Sequence, residues 1–510
     1  MKVIPPITIS NTEGSFTRST TATYIASNGT MQTAAVNTPR VTYDPVTLIC
    51  RGVLYEPSRT NLVTSSDTPT TQSISVNNAA YTLSFYGTGT ITLSGTYTNT
   101  VTGTGAFPSR VILIFTPTAG TLTLTVTGTI QYAQLEAGAF VTSYIPSTLG
   151  TRAADTFTGS APCLMYSNVT APSGYTTWVT DTTYGKGAKV HRATTNCVYQ
   201  CIKDITTGTT NATILPEASV LLDIPYWVRL DALPWVSGTT YTYSAISPVQ
   251  VTYNNRTYEI IATTTANPPS TSPVYWFDVG PSNRWGVFDY LRNSTSNIKT
   301  QMVISVSMGT RVDSLVLVGM EDIKNAVVSV YSPNLGTTTY TSFRSLTTKA
   351  SSTWYDYFFT TGTTVKSAVF SNLLPYSDAV VSIVINGDNI ACGGIILGKA
   401  QELGTIQRGA TSEIINFSTV TRDIFGNATM VQRRNIPKTN QTLYLDKSYV
   451  DAVRTVRDQL NATPAAWVGL EDLPDQYYFE SLLIVGFYRT FTINIDNPIG
   501  VIINLELEEI

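Results

Sequence analysis

The chain has 510 residues, a formal net charge of −3 and a charged fraction of 13 %, about half the share of about 25 % that is usual in soluble proteins. It contains no basic run and no apolar stretch near the ~20 residues that span a bilayer, which argues against nucleic-acid binding and membrane insertion. A single histidine, His191, leaves little material for histidine-dependent catalytic triads, zinc sites or pH switches.

The composition favours β structure. Threonine makes up roughly one residue in six, far above ordinary usage, and the 29 tyrosines favour the same half-buried sheet surfaces. We therefore expect a mostly β chain of sandwiches and small β modules, with a C-terminal α+β domain. The five cysteines are odd in number and scattered, which predicts no disulfide framework and folding in a reducing cytoplasm.

Residues 1–155 are predicted to form the first β domain. Residues 1–62 are irregular and rich in turns, whereas residues 80–144 consist of short alternating segments separated by glycine and proline. In residues 121–127, leucine and valine alternate with threonine, which is typical of a half-buried strand. This pattern predicts a small antiparallel sandwich, and the turn-rich residues 145–175 read as a linker.

An internal repeat occupies residues 156–277. In each copy a tryptophan precedes a tyrosine by six positions, and a valine, a second tyrosine and a late Tyr-Trp pair follow in the same order. The six aromatic residues that mark the two copies are Trp178, Tyr184 and Trp227, then Trp235, Tyr241 and Trp276. Shared spacing and order indicate a duplication, which predicts two small β modules at about 176–229 and 233–277.

The remaining chain is predicted to form two larger domains. Residues 278–403 contain four buried-strand runs, at 314–318, 326–330, 380–385 and 394–397, and are expected to form a β-sandwich. Residues 404–510 are expected to form an α+β domain. A helical stripe predicts a helix over 448–461 with Ser448 as its N-cap, between strands at 482–488 and 501–507.

Residues 16–62 resemble a segment that recurs in tail and fibre proteins of tailed bacteriophages. The matching features are Phe16-Thr17-Arg18, Pro39-Arg40 with Tyr43-Asp44-Pro45, and the run from Arg51 to Leu62. In those proteins a lectin-like sandwich follows and closes with a segment like Gln134-Leu135-Glu136 and Thr142-Ser143-Tyr144. The resemblance covers about the first 155 residues and implies a virion component with a carbohydrate-facing role.

The repeat is similar to the small chitin-binding type of carbohydrate-binding module, although only the first copy keeps the expected glycine, Gly187. Residues from Gly280 to Asp289, with the end domain, look like the remainder of a group of phage tail proteins. These resemblances imply a homo-oligomer or multi-copy assembly, contacts with other tail proteins and with host surface polysaccharide, and docking to the tail through residues 404–510. No cofactor is predicted.

The six repeat aromatics are the candidate carbohydrate-binding residues, because a flat ring with one polar atom can stack on the apolar face of a sugar. The alternative interpretation is that they fill the small cores of the modules, which we favour for Trp178 and Trp235. Both interpretations stay open at this point.

Catalytic and metal-binding interpretations have less support. The acid pairs Glu321-Asp322, Glu471-Asp472 and Asp278 with Asp289 lie near turns or strand ends, where solvated acids are ordinary, so no catalytic residues are predicted. His191, Cys197, Cys201 and Asp204 lack the tight spacing of a zinc site, so no metal site is predicted.

Charged residues concentrate in the N-terminal segment of this charge-poor chain. Arg18, Arg40, Arg51, Glu56 and Arg59 could form an ion-paired clasp or a ligand site, and we favour the clasp.

The sequence as a whole predicts a non-enzymatic virion protein of the tail (baseplate, tail tip or fibre region), made in the host cytoplasm, that acts by assembly and adhesion to host glycans. The alternatives are a tail-borne polysaccharide-degrading enzyme, a head or collar decoration protein, and a bacterial adhesin.

Overall fold

The computed structural model is mostly β, as the composition predicts. It describes the chain except residues 170–174, 220–225, 245–247, 292–293, 334, 336, 349–353, 355–362, 423–424, 426, 432, 434, 471–478 and 496–498. No helix in these described parts is long and apolar enough to cross a bilayer.

The N-terminal sandwich, residues 72–137, packs two antiparallel sheets against each other. Its three-stranded sheet runs in the order Val111–Phe115, Tyr81–Gly87, Ile130–Ala137. Its four-stranded sheet runs in the order Asn99–Thr102, Thr90–Gly95, Gly120–Thr127, Gln72–Val76. The predicted alternation is confirmed, because Leu122 and Leu124 are buried in the core between the sheets while the threonines beside them are exposed or half-buried.

The N-terminal segment consists of short antiparallel pairs. Two are hairpins, Ala22–Ile25 with Met31–Ala34 and Arg40–Tyr43 with Cys50–Leu54. The other two pair the segment with residues that follow the N-terminal sandwich, Ser15–Thr17 with Thr156–Thr158 and Arg59–Thr60 with Thr151–Arg152. The chain entering the sandwich is thereby held to the chain leaving it.

The central sandwich contains all four of the predicted buried-strand runs. One sheet follows the order Ser10–Glu13, Cys163–Ser167, Gln301–Ser307, Val380–Cys392, Glu321–Ser332, Thr337–Ser345, with Ser296–Ile298 beside Val380–Cys392. The facing sheet follows the order Ala368–Phe370, Ser314–Val318, Gly394–Gly398. The largest apolar core among the described residues lies between them. A short strand pair, Thr347–Thr348 with Thr363–Thr364, lies outside these sheets.

The two copies of the repeat fold alike, each around a three-stranded antiparallel sheet. Module 1 contains Lys189–Arg192, Cys197–Cys201 and Trp227–Ala232, with the short helices Thr210–Thr213 and Pro216–Ser219. Module 2 contains Gln250–Tyr253, Arg256–Ile260 and Trp276–Pro281, with the 3-10 turn Pro269–Thr271. A further 3-10 turn, Gly286–Phe288, leads into the central sandwich.

The C-terminal domain packs the helix Val450–Gln459 against an eight-stranded sheet. The sheet order is Gln401–Glu402, Lys2–Ile4, Ala465–Val468, Leu483–Asn494, Gly500–Glu509, Asn435–Asp446, Thr405–Ile406, with Thr411–Asn416 also beside Asn435–Asp446. A 3-10 turn, Glu480–Leu482, precedes Leu483–Asn494, and the ribbon Thr419–Arg422 with Ala428–Val431 extends beyond the sheet. Apolar residues of the helix and the sheet form the second core.

The predicted helix is confirmed, but its start differs from the prediction. The helix spans Val450–Gln459 after a 3-10 turn at Lys447–Tyr449. Asp446, rather than Ser448, caps this end, because its carboxylate accepts a hydrogen bond of 2.9 Å from the Ser448 amide. The Ser448 hydroxyl donates to the same carboxylate instead of accepting from an amide of the first helical turn, so Ser448 does not act as the cap.

Strand pairing crosses two of the predicted domain boundaries. Lys2–Ile4, placed by sequence in the first domain, lies between two strands of the C-terminal sheet. Ser10–Glu13 and Cys163–Ser167, the latter in the predicted linker, are strands of the central sandwich. Short strands such as these carry too few residues for a periodic pattern, so their partners cannot be read from the sequence.

Candidate functional site

Charged residues from both ends of the N-terminal sandwich meet in one buried cluster. We call this cluster the clasp and define it as Arg18, Arg40, Glu56, Arg152 and Asp155. Their side chains are between 0 and 8 % exposed. Buried charges are stable only when they are paired and hydrogen-bonded, so the contacts of each group decide whether the clasp stabilises the fold.

Asp155 bridges two arginines. One carboxylate oxygen accepts a hydrogen bond of 3.0 Å from Nη1 of Arg18, and the other contacts Nη2 of Arg40. The second oxygen also accepts a hydrogen bond of 2.9 Å from the backbone amide of Glu56. Asp155 therefore ties the two arginines of the N-terminal segment to the chain that leaves the sandwich.

Glu56 bridges a second pair of arginines. Its Oε2 lies 2.9 Å from Nη2 of Arg40 and 2.8 Å from Nη1 of Arg152. Ser143 donates to the same carboxylate from its amide and from its hydroxyl, both at 2.6 Å. The Ser143 hydroxyl in turn accepts from both arginines at 2.9 Å, so the bridged groups form one connected network.

The clasp keeps the carboxylate of Glu56 ionised. Burial alone would raise the pKa of Glu56, but Arg152, Arg40 and the Ser143 donors outweigh it and lower the pKa to about 2. Burial also opposes the charge of Arg40, yet Glu56 and Asp155 bring about a net rise in its pKa. For Arg152 burial prevails and the pKa is lowered. Guanidinium groups stay charged in proteins in either case.

The clasp lies beside an aromatic contact that joins the N-terminal segment to the central sandwich. The ring of Tyr55 stacks on Tyr331 of the central sandwich, with 5.3 Å between centroids, and lies 4.8 Å from the ring of Phe157. Apolar residues of the hairpin that contains Cys50 and Val53 cover the same outer sheet face. The clasp thus fixes the segment through which the N-terminal sandwich is attached.

The predicted charge concentration is only partly one cluster. Arg51 lies on the surface, 57 % exposed, and pairs with Asp44. Arg59 lies beside Glu136, with 3.8 Å between Nε and Oε2, and over the ring of Phe140. Both residues lie outside the clasp, whereas the sequence analysis grouped them with Arg18, Arg40 and Glu56.

We expect the clasp to make the N-terminal part of the chain sensitive to acid. The pKa of Glu56 is about 2 in the fold against an ordinary value of 4.5. Because the folded value is the lower one, the pairing stabilises the fold above pH 4.5, and this stabilisation is lost as the pH falls toward 2. Calorimetric melting at pH 6, 4.5, 3.5 and 2.5 should show this loss, and Glu56→Gln should flatten the profile. An unchanged profile in the variant would contradict this assignment.

Four of the six predicted carbohydrate-binding aromatics are buried in the module cores. Trp178 is 8 % exposed and has Arg192 over its ring at 4.8 Å, while Trp227 is 1 % exposed. In module 2, Tyr241 and Trp276 are equally buried. A sugar would therefore find no exposed ring face to stack on at these four residues. Carbohydrate binding by them stays a prediction.

The other two predicted aromatics, Tyr184 and Trp235, are half-buried, and the contacts of Tyr184 recur at Tyr241 in module 2. Tyr184 lies edge-on to Trp227 at 5.1 Å and its hydroxyl accepts from the amide of Val179. The equivalent hydroxyl of Tyr241 accepts from the amide of Val236, and Trp235 lies edge-on to Tyr253. The six-residue Trp-Tyr spacing therefore produces the same turn in both modules.

An exposed ring lies beside the buried one in module 2. Phe277 follows Trp276 in the edge strand and is 61 % exposed. It is opposite Glu259, whose carboxylate accepts a hydrogen bond of 2.9 Å from the Gln250 side chain. The sequence held a signal for this position, because side chains alternate between sheet faces and the residue after a buried tryptophan points outward.

A polar cleft of about 660 Å³ lies where the modules meet the central sandwich. Asp231, Asp278 and Asp289 line it, together with Arg229 and Arg256. This placement brings together the predicted acids Asp278 and Asp289 with an aspartate that the sequence analysis did not single out.

The three cleft carboxylates differ in environment. Burial raises the pKa of Asp231 to about 6, although the amides of Ala232 and Asn283 and the Thr257 hydroxyl oppose this shift. Burial also raises the pKa of Asp289. Asp278 is paired with Arg256 at 2.7 Å. Each carboxylate thus has structural partners as well as access to the cleft.

The remaining sequence candidates are not brought together. Glu321 and Asp322 are exposed at the start of a strand, and Glu471-Asp472 lies outside the described residues. Cys197 and Cys201 are buried free thiols, and the described residues contain no group of three or more acidic, cysteine or histidine side chains placed to hold a metal.

No family model matches the chain, and no curated protein matches it. Among solved structures, a GH78-family rhamnosidase of Bacillus sp. GL1 aligns with 81 % of this chain at 10 % identity and a TM-score of 0.19. The alignment covers only 36 % of that enzyme's length. A likeness at this TM-score carries no argument about fold or function.

Proposed function

We propose that the chain is a structural virion protein of a tailed-phage tail, in the baseplate, tail tip or fibre region, that acts by assembly and by adhesion to host surface glycans. The observation that carries the proposal is the clasp. Arg18, Arg40 and Glu56 belong to the features by which residues 16–62 resemble phage tail proteins, and these three side chains pair in one buried network.

A buried network of this kind favours a mechanical role over ligand binding. Both bridging carboxylates are already saturated by arginine and backbone or serine donors. They tie the N-terminal segment to the chain that leaves the N-terminal sandwich, and this segment packs on the central sandwich through Tyr55. A protein that presents one domain at a distance from its anchoring domain needs a rigid connection between the two. The clasp and the strand pairs beside it would carry the force that acts on the protein when it adheres to a cell.

The experiment that tests the location is immunogold labelling of purified particles with an antibody against this chain. Gold at the tail, baseplate or fibre would support the proposal. Gold on the head or collar would replace the tail assignment with a decoration role. Intact tailed particles without label would overturn the virion assignment and favour the enzyme or adhesin alternatives.

The exposed ring of Phe277 offers a test of adhesion. An aromatic face beside the paired Glu259 and Gln250 side chains suits a sugar, which has an apolar face and a polar rim. If module 2 binds host glycan, Phe277→Ala should weaken binding by about 10-fold or more, measured by biolayer interferometry on immobilised host polysaccharide. Phe343→Ala is the matched control, since that ring is 54 % exposed on the central sandwich. Equal affinity in all three proteins would remove Phe277 from the proposal.

The polar cleft favours one second candidate, a tail-borne polysaccharide-degrading enzyme. Asp231, with a pKa of about 6, has the raised pKa of a general acid, and Asp278 or Asp289 could act as the second carboxylate. Release of reducing sugar from host polysaccharide by the purified chain, lost in Asp231→Asn but kept in Glu321→Gln, would establish this activity. Absence of release would leave the structural proposal in place.

A further inference from the structure

The first hairpin of the N-terminal segment, residues 22–34, has an Asn-Gly pair at its tip. The Gly29 amide donates to the Ala26 carbonyl at 2.9 Å, and the Ala26 amide donates to the Thr30 carbonyl at the same distance. Gly29 has a φ of 78°, so the tip is a three-residue connection that ends in a left-handed glycine. Asn28, which precedes this glycine, is exposed.

Two donors polarise the side-chain carbonyl of Asn28. Its Oδ1 accepts hydrogen bonds of 3.1 Å from the Thr30 amide and 2.7 Å from the Thr30 hydroxyl. This hydroxyl accepts in turn from Nε2 of Gln32 at 3.1 Å, which makes it a stronger donor. Donors placed on a carbonyl oxygen stabilise the negative charge that develops there when a nucleophile attacks the carbonyl carbon. The Asn28 amide is therefore activated toward attack.

The same turn brings a nucleophile to this carbonyl. The hydrogen bond from the Thr30 amide to Oδ1 closes a small ring, an Asx turn, that contains both Cγ of Asn28 and the amide nitrogen of Gly29. Glycine has no Cβ to obstruct the approach of its nitrogen. Nδ2 of Asn28, the leaving nitrogen, donates to no group in the described part of the chain. The hydrogen bond from Gly29 to Ala26 must open first, and it lies in a loop, where opening costs least.

We propose that Asn28 is a site of spontaneous modification, at which the Gly29 nitrogen attacks Cγ of Asn28 and the side-chain amide becomes an acid. The N–Cγ bond forms as the Gly29 amide gives its proton to hydroxide. The Cγ–Nδ2 bond breaks as Nδ2 takes a proton from water and leaves as ammonia. The resulting cyclic imide adds one water at either carbonyl and opens to aspartate or isoaspartate. The sum of these steps consumes one water and releases one ammonia, without oxidation.

The chain contains one other Asn-Gly pair, Asn386-Gly387, and the central sandwich protects it. Oδ1 of Asn386 accepts from the Gln301 side chain at 2.8 Å, and Nδ2 donates to the Asn325 side chain at 2.7 Å. The Gly387 amide donates to the Thr300 carbonyl at 3.2 Å. Both nitrogens of the reaction are thus bonded within the sheet, so cyclisation at this pair requires a central strand to open. The structure therefore separates two sites that the sequence alone makes equivalent.

The modification would stay confined to the tip of the hairpin. Arg40 of the clasp donates to the Thr23 carbonyl at 2.8 Å, and the Thr23 hydroxyl donates to the Tyr144 carbonyl at 2.6 Å. The base of the hairpin is thus fixed by contacts that the reaction does not touch. We expect modified chains to keep their melting temperature and to carry one negative charge more than the formal net charge of −3. The inference does not depend on a virion location.

Peptide mass spectrometry measures the reaction at both Asn-Gly pairs in one sample. The folded chain is incubated at mildly alkaline pH, and the same chain unfolded in urea is the control, because both pairs are then equally accessible. We expect Asn28 to convert at least about 10-fold faster than Asn386 in the folded chain, and the two to convert alike in urea. Equal conversion of the two in the folded chain would overturn the proposal. So would a folded chain with unmodified Asn28 after the time in which urea-unfolded chains are half converted.

Three variants test the chemistry. In Thr30→Val the conversion of Asn28 should slow by about 2- to 10-fold, the usual effect of one hydrogen bond, whereas Thr33→Val, at an exposed threonine of the same hairpin, should leave the rate unchanged. In Asn28→Gln the more acidic form should be absent from the ion-exchange profile. An unchanged rate in Thr30→Val, or an acidic form that persists in Asn28→Gln, would contradict the proposal. All three substituted residues are exposed, so the variants should fold, which a melting curve checks.

Discussion

Asp155→Ala should destabilise the N-terminal part of the chain by about 3–5 kcal/mol, the usual cost of removing one partner from a buried ion pair. The substitution leaves Arg18 without its carboxylate and leaves Arg40 and Arg152 to share Glu56. Three guanidinium groups would then be buried with one negative charge. The amide of Glu56 would also lose its acceptor.

Calorimetry and limited proteolysis can measure this effect. We expect the transition that includes residues 10–165 to move to lower temperature and the linking strands to become cleavable, while the C-terminal domain keeps its own transition. Arg51→Ala is the control, because it removes an ion pair whose arginine is 57 % exposed, and such pairs contribute about 0–1 kcal/mol. A loss below 1 kcal/mol in Asp155→Ala would show that the clasp does not hold the joint.

Trp276→Ala should unfold module 2 locally, with a loss of about 3–5 kcal/mol from the cavity and the lost apolar contacts. Trp276 is 2 % exposed, lies edge-on to Tyr241 at 5.4 Å, and donates from Nε1 to the carbonyl of Asn267 at 3.0 Å. The core of the module contains only five buried apolar side chains, so it cannot close over a cavity of this size.

Hydrogen exchange of the amides in Gln250–Tyr253, Arg256–Ile260 and Trp276–Pro281 measures this loss directly. Phe277→Ala is the neighbouring control, since an exposed substitution should stay within about 0.5 kcal/mol of the parent. If Trp276→Ala lost glycan binding while exchange in module 2 stayed unchanged, the ring would have to contact sugar, and its role in the core would be wrong.

Much of the fold could be predicted from local patterns. Alternation in residues 121–127 and in residues 501–507 identified strands, and the stripe over 448–461 identified the helix, because each element is long enough to show its period. For Lys2–Ile4 and Ser10–Glu13 the sequence predicted no sheet partners, and the structure pairs them with strands far along the chain. Strands of three or four residues gain their place from partners far along the chain, and no local period reports those partners.

The site was only partly predictable. Arg18, Arg40 and Glu56 stood out because charges are scarce in this sequence, but their carboxylate partner Asp155 lies about a hundred residues from Glu56 and carried no local signal. In the modules, aromatic spacing predicted a repeat but could not separate a ring in the core from a ring on the surface. Once the strand is known, the alternation of side chains between its two faces predicts that Trp276 is buried and Phe277 exposed.

The place of Lys2–Ile4 in the C-terminal sheet has a consequence for synthesis. This strand pairs with Ala465–Val468 and Gln401–Glu402, so its partners leave the ribosome only after some four hundred residues more have been made. At about 5–20 residues per second, a nascent chain carries the unpaired strand for tens of seconds while its earlier domains fold. The C-terminal sheet is therefore completed only after residues 465–468 have been made. A chain that stops before residue 465 leaves Lys2–Ile4 without this partner, and a chaperone or another nascent chain would then bind the strand.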